Sequence, residues 1–344
     1  MSEWNQTQAL AELNQNTSEL QELLAEWYAA AHRKLPWRVE PSLYRTVVSE
    51  LMCQQTQIAT VLPYFDRWMQ QLPSFEALAG ADEAVVLKLW EGLGYYSRAR
   101  NLHKMAKEIV SMERVPEVAK NWQKLTGIGP YTSAAIASIH FNEPIAVVDG
   151  NVIRVLTRLI GDGREFRDGP SAAKALQAAA DMLVHPERPG DHNQAMMELG
   201  ALVCVKQRPT CTICPWVQKC VAAKTGQPEA FPNLKKRKIE KVRCPRAWAV
   251  KDAAILLQQI PSDATRLAGH WELPKLGELD GARQGELLAK KMRGISNQRI
   301  EEPIYVVEIG DVPEHCRWIL WDDLPDYQLT GPHRRWINEL KLTG

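Results

Sequence analysis

Four cysteines, Cys204, Cys211, Cys214 and Cys220, fall within seventeen residues at the spacing C-x6-C-x2-C-x5-C. Loops this short let four thiolates converge on one centre, and that donor set suits zinc or an iron–sulfur cluster equally well. The remaining three of the seven cysteines, Cys53, Cys244 and Cys316, are scattered and read as isolated structural thiols. In a reducing compartment such crowding points to a metal or cluster site rather than a disulfide framework. Upstream stands Leu125-Thr126-Gly127-Ile128-Gly129-Pro130-Tyr131-Thr132. Glycine at two positions permits unusual backbone angles, Pro130 suits a helix start, and the N–H groups there can hold a phosphate. A plain turn between helices fits the same residues. Val147-Val148-Asp149-Gly150-Asn151 follows, with Asp149 at a helix start where Asp is a common N-cap.

The elements that must position these groups are mostly helical. Between residues 18 and 234 apolar residues recur at three- and four-residue steps, as in Leu43, Val47, Leu51 and Ile58, or Val85, Val86, Leu89 and Trp90. Breaks fall at Leu35-Pro36, Gly92-Leu93-Gly94, Gly127–Pro130 and Arg188-Pro189-Gly190. No strand pattern of useful length is expected there, so the first domain is mainly α. Residues 235–246 then carry seven basic residues and one acidic. Beyond them, strand-like stretches at Trp248–Leu257, Glu301–Ile309 and Cys316–Trp321 surround an expected helical run near Glu286–Met292, which together describe an α+β domain.

A chain of 344 residues suggests about two domains. Hydrophobic residues at 45% and charged residues at 24% exclude a disordered or collagen-like chain. No window approaches the roughly 18 consecutive apolar residues of a membrane span. The polar N-terminus has no apolar signal core, so the expectation is a cytoplasmic protein without a membrane partner. The formal net charge of +1 excludes a protein that grips nucleic acid by bulk charge, but not one with a local basic track. Residues 1–230 hold 23 basic and 25 acidic side chains, residues 231–344 hold 19 and 16, and most of the second excess is the basic run itself.

Taken in order, glycine hairpin, aspartate and four-cysteine loop resemble the helix–hairpin–helix DNA glycosylases of the endonuclease III superfamily, and within it the MutY-type adenine DNA glycosylases. The resemblance covers most of residues 18–225. It rests on Leu35-Pro36-Trp37-Arg38, Ser49–Gln57, Gly92–Arg98, the hairpin, Val147–Val152 and Asn193–Gly200. It implies a helix–hairpin–helix glycosylase domain at residues 1–225, a basic linker at 226–246 and a Nudix-like opposite-base recognition domain at 247–344. It further implies a 4Fe-4S cluster on the four cysteines, and a monomeric, nucleoid-associated bacterial hydrolase of N-glycosyl bonds in base excision repair. Its partner would be double-stranded DNA carrying adenine opposite 8-oxoguanine or guanine.

Adenine leaves poorly as an anion, so an acid should protonate it, and the sugar cation left behind calls for a carboxylate. Glu50 lies beside the apolar stripe of its helix, where partial burial raises a carboxyl pKa. The resemblance assigns Glu50 as the acid on adenine and then the base for water, and Asp149 as stabiliser of the cation. Tyr131 and Asn151 assist by hydrogen bonding. Gln55 and Tyr95 would wedge the duplex beside the flipped base, Gly127 and Gly129 would hold a phosphate, and Trp37, Arg38 and Gln194 would line the adenine pocket. Tyr131 stands where the endonuclease III branch has its attacking lysine, so a monofunctional enzyme is expected. The alternatives are a bifunctional endonuclease III-like enzyme and a thymine or uracil mismatch glycosylase.

In the C-terminal part, Gly269-His270-Trp271-Glu272-Leu273-Pro274 is similar to the Nudix-like segment of the family, without the Glu-rich helix of Nudix hydrolases. The family's Phe-Ser-His recognition turn should fall at Ile295-Ser296-Asn297, where only the serine matches. Ser296 and Asn297 retain hydrogen-bonding groups for a purine edge, without the aromatic ring or the imidazole.

Overall fold

The computed structural model describes residues 5–236, 239–264, 266–295 and 297–342. Ser296 therefore lies outside the described residues. The chain divides into two units, residues 1–83 with 97–235, and residues 84–96 with 236–344.

In the first unit, helices are set by caps at the positions the sequence marks. Ser42 accepts a hydrogen bond from the Arg45 N–H at the start of Leu43–Cys53. Pro130 opens Pro130–Phe141, and Asp149 caps Gly150–Ile160 by accepting from the Val152 N–H. The pattern running from Leu43 to Ile58 is two helices, Leu43–Cys53 and Ile58–Gln71, broken at Gln54–Gln57. One core joins the long helix Gln6–Ala31 (Leu13, Leu20, Leu24) to Gly150–Ile160 (Ile153, Leu156), Gly169–Leu183 (Leu176, Leu183) and Pro189–Leu202 (Met196, Leu199). Trp216, from the cysteine loop, is buried in that core and donates its indole N–H to the Leu20 carbonyl at 2.9 Å. The loop is thus seated on the same core as the Asp149 helix. A short parallel pairing of Glu165–Phe166 with Asn233–Leu234, absent from the sequence reading, closes the unit. At two residues per strand there is no alternation to detect.

The second unit holds two sheets. In one, Ala254–Gln259 pairs antiparallel with Cys316–Leu320, Val250–Lys251 and Trp271–Glu272. In the other, Gln298–Glu308 pairs antiparallel with Arg283–Ile295 and parallel with Glu240–Arg243 and Arg246–Trp248. The helix Gly331–Lys341 lays Trp336, Ile337 and Leu340 on Ile255, Leu257, Leu273 and Ile304. The expected helical run near Glu286–Met292 is wrong: it lies inside the thirteen-residue strand Arg283–Ile295. Glu, Leu, Ala, Lys and Met favour a helix locally, but cross-strand pairing with Gln298–Glu308 overrides that preference, and Gly285 and Gly294 weaken any helix there.

Of the basic run 235–246, Glu240–Arg243 is a strand and Arg246 is buried. Arg246 donates to Glu302 at 2.6 Å, to Glu272 at 2.9 Å and to the Leu273 carbonyl at 2.8 Å. Arg293 meets Glu302 at 2.6 Å, so two arginines and two glutamates balance in the interior. The segment 84–96 belongs to this unit, with Glu91 paired to Arg334 at 2.7 Å and the Lys88 ammonium on the Pro325 carbonyl at 2.8 Å.

Candidate active site

Three helices of the first unit bring the expected acid–base residues into two hydrogen-bonded pairs. Glu50 comes from the edge of Leu43–Cys53, whose buried stripe is Tyr44, Val47, Val48, Leu51 and Met52. Tyr131 comes from the first turn of Pro130–Phe141, and its hydroxyl donates to Glu50 Oε2 at 2.7 Å. Met197 Sδ lies 3.1 Å from the same hydroxyl. Asp149 and Asn151 form the second pair: Asn151 Nδ2 donates to Asp149 Oδ2 at 2.9 Å while the Val152 N–H donates to Oδ1 at 2.8 Å. The N-cap reading and the functional reading of Asp149 are compatible, because capping fixes one carboxylate oxygen and leaves the group at the helix mouth.

Both carboxyls are shifted upward. Burial pushes Glu50 up and the nearby Asp149 adds to this, whereas the Tyr131 hydroxyl and Arg38 pull it back. Burial likewise raises Asp149, opposed by the Val152 N–H and the Asn151 amide. A carboxyl biased towards its protonated form can give a proton near neutral pH. Behind Asn151, Arg154 donates to Asn151 Oδ1 at 2.8 Å, to the Gly200 carbonyl at 2.7 Å and to the Cys204 carbonyl at 2.6 Å.

A cavity of about 500 Å³ is lined by Glu50 together with Trp37, Arg38 and Gln194. Tyr131, Asp149 and Asn151 are not among its lining residues. The sequence reading missed Tyr28, His32, Asp191 and His192 on the wall. Burial pushes the His192 imidazole down to about 3, so that ring is neutral. Glu198 was missed as well. It is 1% exposed, accepts from Arg33 Nε at 2.7 Å and Nη2 at 2.8 Å, and faces Arg38 Nη1 at 3.1 Å. Burial alone would push its carboxyl up; the two guanidiniums outweigh that and hold it below the usual range. The Asn193–Gly200 motif contained Glu198, but pairing with arginines about 160 residues away leaves no trace in local sequence.

Gln55 and Tyr95 are exposed non-glycine residues in the left-handed region, at φ +54° and +50°. In the hairpin Gly127 takes φ +79°, and a Cβ there would meet Asn101 Cβ at 2.5 Å, so glycine is required. Gly129 adopts an ordinary extended conformation at φ −92° and is the N-cap of the next helix. In the second unit the Asn297 carbonyl accepts from the Glu240 N–H at 2.9 Å, and Asn297 lines a cavity of about 390 Å³ with Arg293, Gln298 and Arg299.

Cys204, Cys211, Cys214 and Cys220 are half-buried. Burial raises the Cys214 thiol to about 12, and the other three thiols add to the rise, which places all four within electrostatic reach of one another. The Arg158 guanidinium lies 3.4 Å from Cys204 Sγ. Among the described residues no three His, Cys, Asp or Glu side chains close on a single ion. No described helix is long and apolar enough to cross a membrane.

Residues 48–179 match the family model of the HhH-GPD superfamily of base excision DNA repair proteins. The chain is 46% identical over 210 residues to the adenine DNA glycosylase of Rattus norvegicus, an alignment covering 58% of this chain and 40% of the relative. This chain thus spans less than half the length of that relative. A thermostable thymine-DNA glycosylase superimposes with a TM-score of 0.53 at 25% identity, over 62% of this chain and 98% of the other. An endonuclease III bound to DNA superimposes with a TM-score of 0.52 at 21% identity, over 62% and 97%. Residues 48–179 are thus similar to the HhH-GPD base excision DNA repair proteins, and the first unit shares the fold of endonuclease III.

Proposed function

We propose that the protein is a monofunctional DNA glycosylase that removes adenine mispaired with 8-oxoguanine or guanine. The single observation that carries this is the Tyr131–Glu50 hydrogen bond of 2.7 Å, on a carboxyl that lines a cavity of about 500 Å³. It pairs an acid of raised pKa with a hydroxyl at the position where a bifunctional relative would need an amine. DNA is held at the hairpin and by the exposed Lys206 and Arg208, so few phosphates are contacted and the overall charge can stay near neutral.

The target adenine leaves the stack, Gln55 and Tyr95 occupy the space, and the base enters among Trp37, Arg38 and Gln194. Glu50 gives its proton to a ring nitrogen of adenine as the N-glycosidic bond breaks. Asp149, whose carboxylate oxygens accept from the Val152 N–H and the Asn151 amide, stabilises the sugar cation when ionised. Glu50 then takes a proton from the attacking water, and an abasic site remains.

Cys204, Cys211, Cys214 and Cys220 would hold a 4Fe-4S cluster. The all-thiol donor set is compatible with either zinc or an iron–sulfur cluster, and the choice of the cluster rests on the resemblance to the endonuclease III superfamily. Bound there, the cluster would brace the loop that Arg154 and Arg158 tie to the Asp149 helix. The second unit is proposed as a Nudix-like reader of the opposite base, with Ser296 and Asn297 on the purine edge. The direct test offers duplexes with adenine opposite 8-oxoguanine, guanine and thymine, and scores strand breaks before and after alkali. Breaks that need alkali and require adenine opposite a purine support the reading; breaks without alkali favour a bifunctional enzyme.

A further inference from the structure

The helix that carries Glu50 ends at Cys53, and a helix end leaves its last carbonyls without helical partners. Three carbonyls of this stretch are taken by one side chain. Arg98 Nη1 donates to the carbonyls of Leu51 at 2.9 Å, Met52 at 2.9 Å and Gln54 at 2.6 Å. Arg98 Nη2 reaches the Thr56 hydroxyl at 3.2 Å. Arg98 is 7% exposed, although it begins a helix 42 residues further along the chain.

Between the two ends of this clamp lies Gln55, exposed and left-handed at φ +54°. That conformation is costly for a residue with a Cβ and persists only when its surroundings impose it. Here the carbonyl before Gln55 and the hydroxyl after it are both held by the same planar guanidinium, while Gln54 Nε2 donates to Thr132 Oγ1 at 3.2 Å. Arg98 reaches the three carbonyls through Nη1 and the Thr56 hydroxyl through Nη2, and the single nitrogen of a lysine cannot stand at both places.

We infer that Arg98 is a positioning residue for base removal: its guanidinium fixes the turn Gln54–Thr56, so that Gln55 meets the duplex in one conformation and Glu50, one helical turn before Gln54, keeps its place. The inference rests on the glycosylase reading above. Its physical core, the clamp, is testable without any substrate.

The experiment compares wild type, Arg98→Lys, the milder Thr56→Val, Gln55→Asn and the Arg98→Lys/Gln55→Asn pair. In the DNA-free protein, amide exchange in the peptide covering residues 51–57 should quicken by about tenfold or more in Arg98→Lys, less in Thr56→Val, and stay unchanged around the hairpin 125–132. On a duplex with adenine opposite 8-oxoguanine, Arg98→Lys should slow single-turnover release by about tenfold or more with binding changed by less than about threefold. Asparagine enters the left-handed region more readily than glutamine. In the DNA-free protein, Gln55→Asn should therefore slow the exchange of residues 51–57 again in the Arg98→Lys background. Unchanged exchange at 51–57, exchange that quickens across the whole unit, or no slowing of that exchange by Gln55→Asn in the lysine background overturns the inference. If the wild type releases no adenine, the glycosylase reading fails, and the exchange measurement still decides the clamp.

Discussion

The Tyr131 hydroxyl donates to Glu50 Oε2 at 2.7 Å, joining two residues 81 positions apart on different helices. This bond opposes the upward push of burial on the Glu50 pKa. The pair therefore sets how readily the acid holds its proton, and most of the expectations below start from it.

Tyr131→Phe removes the donor that favours the ionised form, so the Glu50 pKa should rise further. If the protonated acid is the active form, the single-turnover rate is level below that pKa and falls as pH climbs through it. The variant should move this alkaline fall to higher pH and lower the plateau by about tenfold. A pH–rate profile of both proteins checks it, and a shift to lower pH would contradict it.

Tyr131→Lys places an amine beside the reacting sugar. Borohydride should then trap a covalent protein–DNA adduct that the wild type does not form as a major product. Gel analysis of the borohydride-treated reaction reads this directly. An equal yield from the wild type would refute the monofunctional assignment.

Arg246→Met leaves Glu302, which is fully buried, with one arginine instead of two. Breaking such a cluster costs about 3–5 kcal/mol. The second unit should melt earlier while the helical unit, followed by exchange of the hairpin peptide, is unaffected.

Asn297→His restores the imidazole of the family turn. If the present turn reads the opposite strand weakly, the variant should widen the ratio of adenine release opposite 8-oxoguanine to that opposite guanine. A wild type that already discriminates as strongly as the variant removes the weak-reader idea.

What the sequence made legible was local. Asp149 as an N-cap, Pro130 at a helix start and the need for glycine at position 127 follow from short-range rules, and each is met. What stayed hidden depends on partners distant in the chain. Arg33 on Glu198 and Arg98 on the Leu51 and Met52 carbonyls leave no periodic mark in sequence. Arg246 belonged to a run that reads as solvated charge, yet it is 1% exposed because two glutamates on other strands enclose it. The strand Arg283–Ile295 was misread for a related reason: its composition is helical, and only pairing with Gln298–Glu308 makes it a strand.

The most direct test of the account is Glu50→Gln, which keeps the shape and hydrogen-bonding capacity of the side chain and removes the proton it would give. On a duplex with adenine opposite 8-oxoguanine, single-turnover release should fall by about 10²–10⁴-fold while the Kd for the same duplex changes by less than about threefold. Release within about tenfold of wild type, or a loss matched by an equal loss of binding, would contradict Glu50 as the acid.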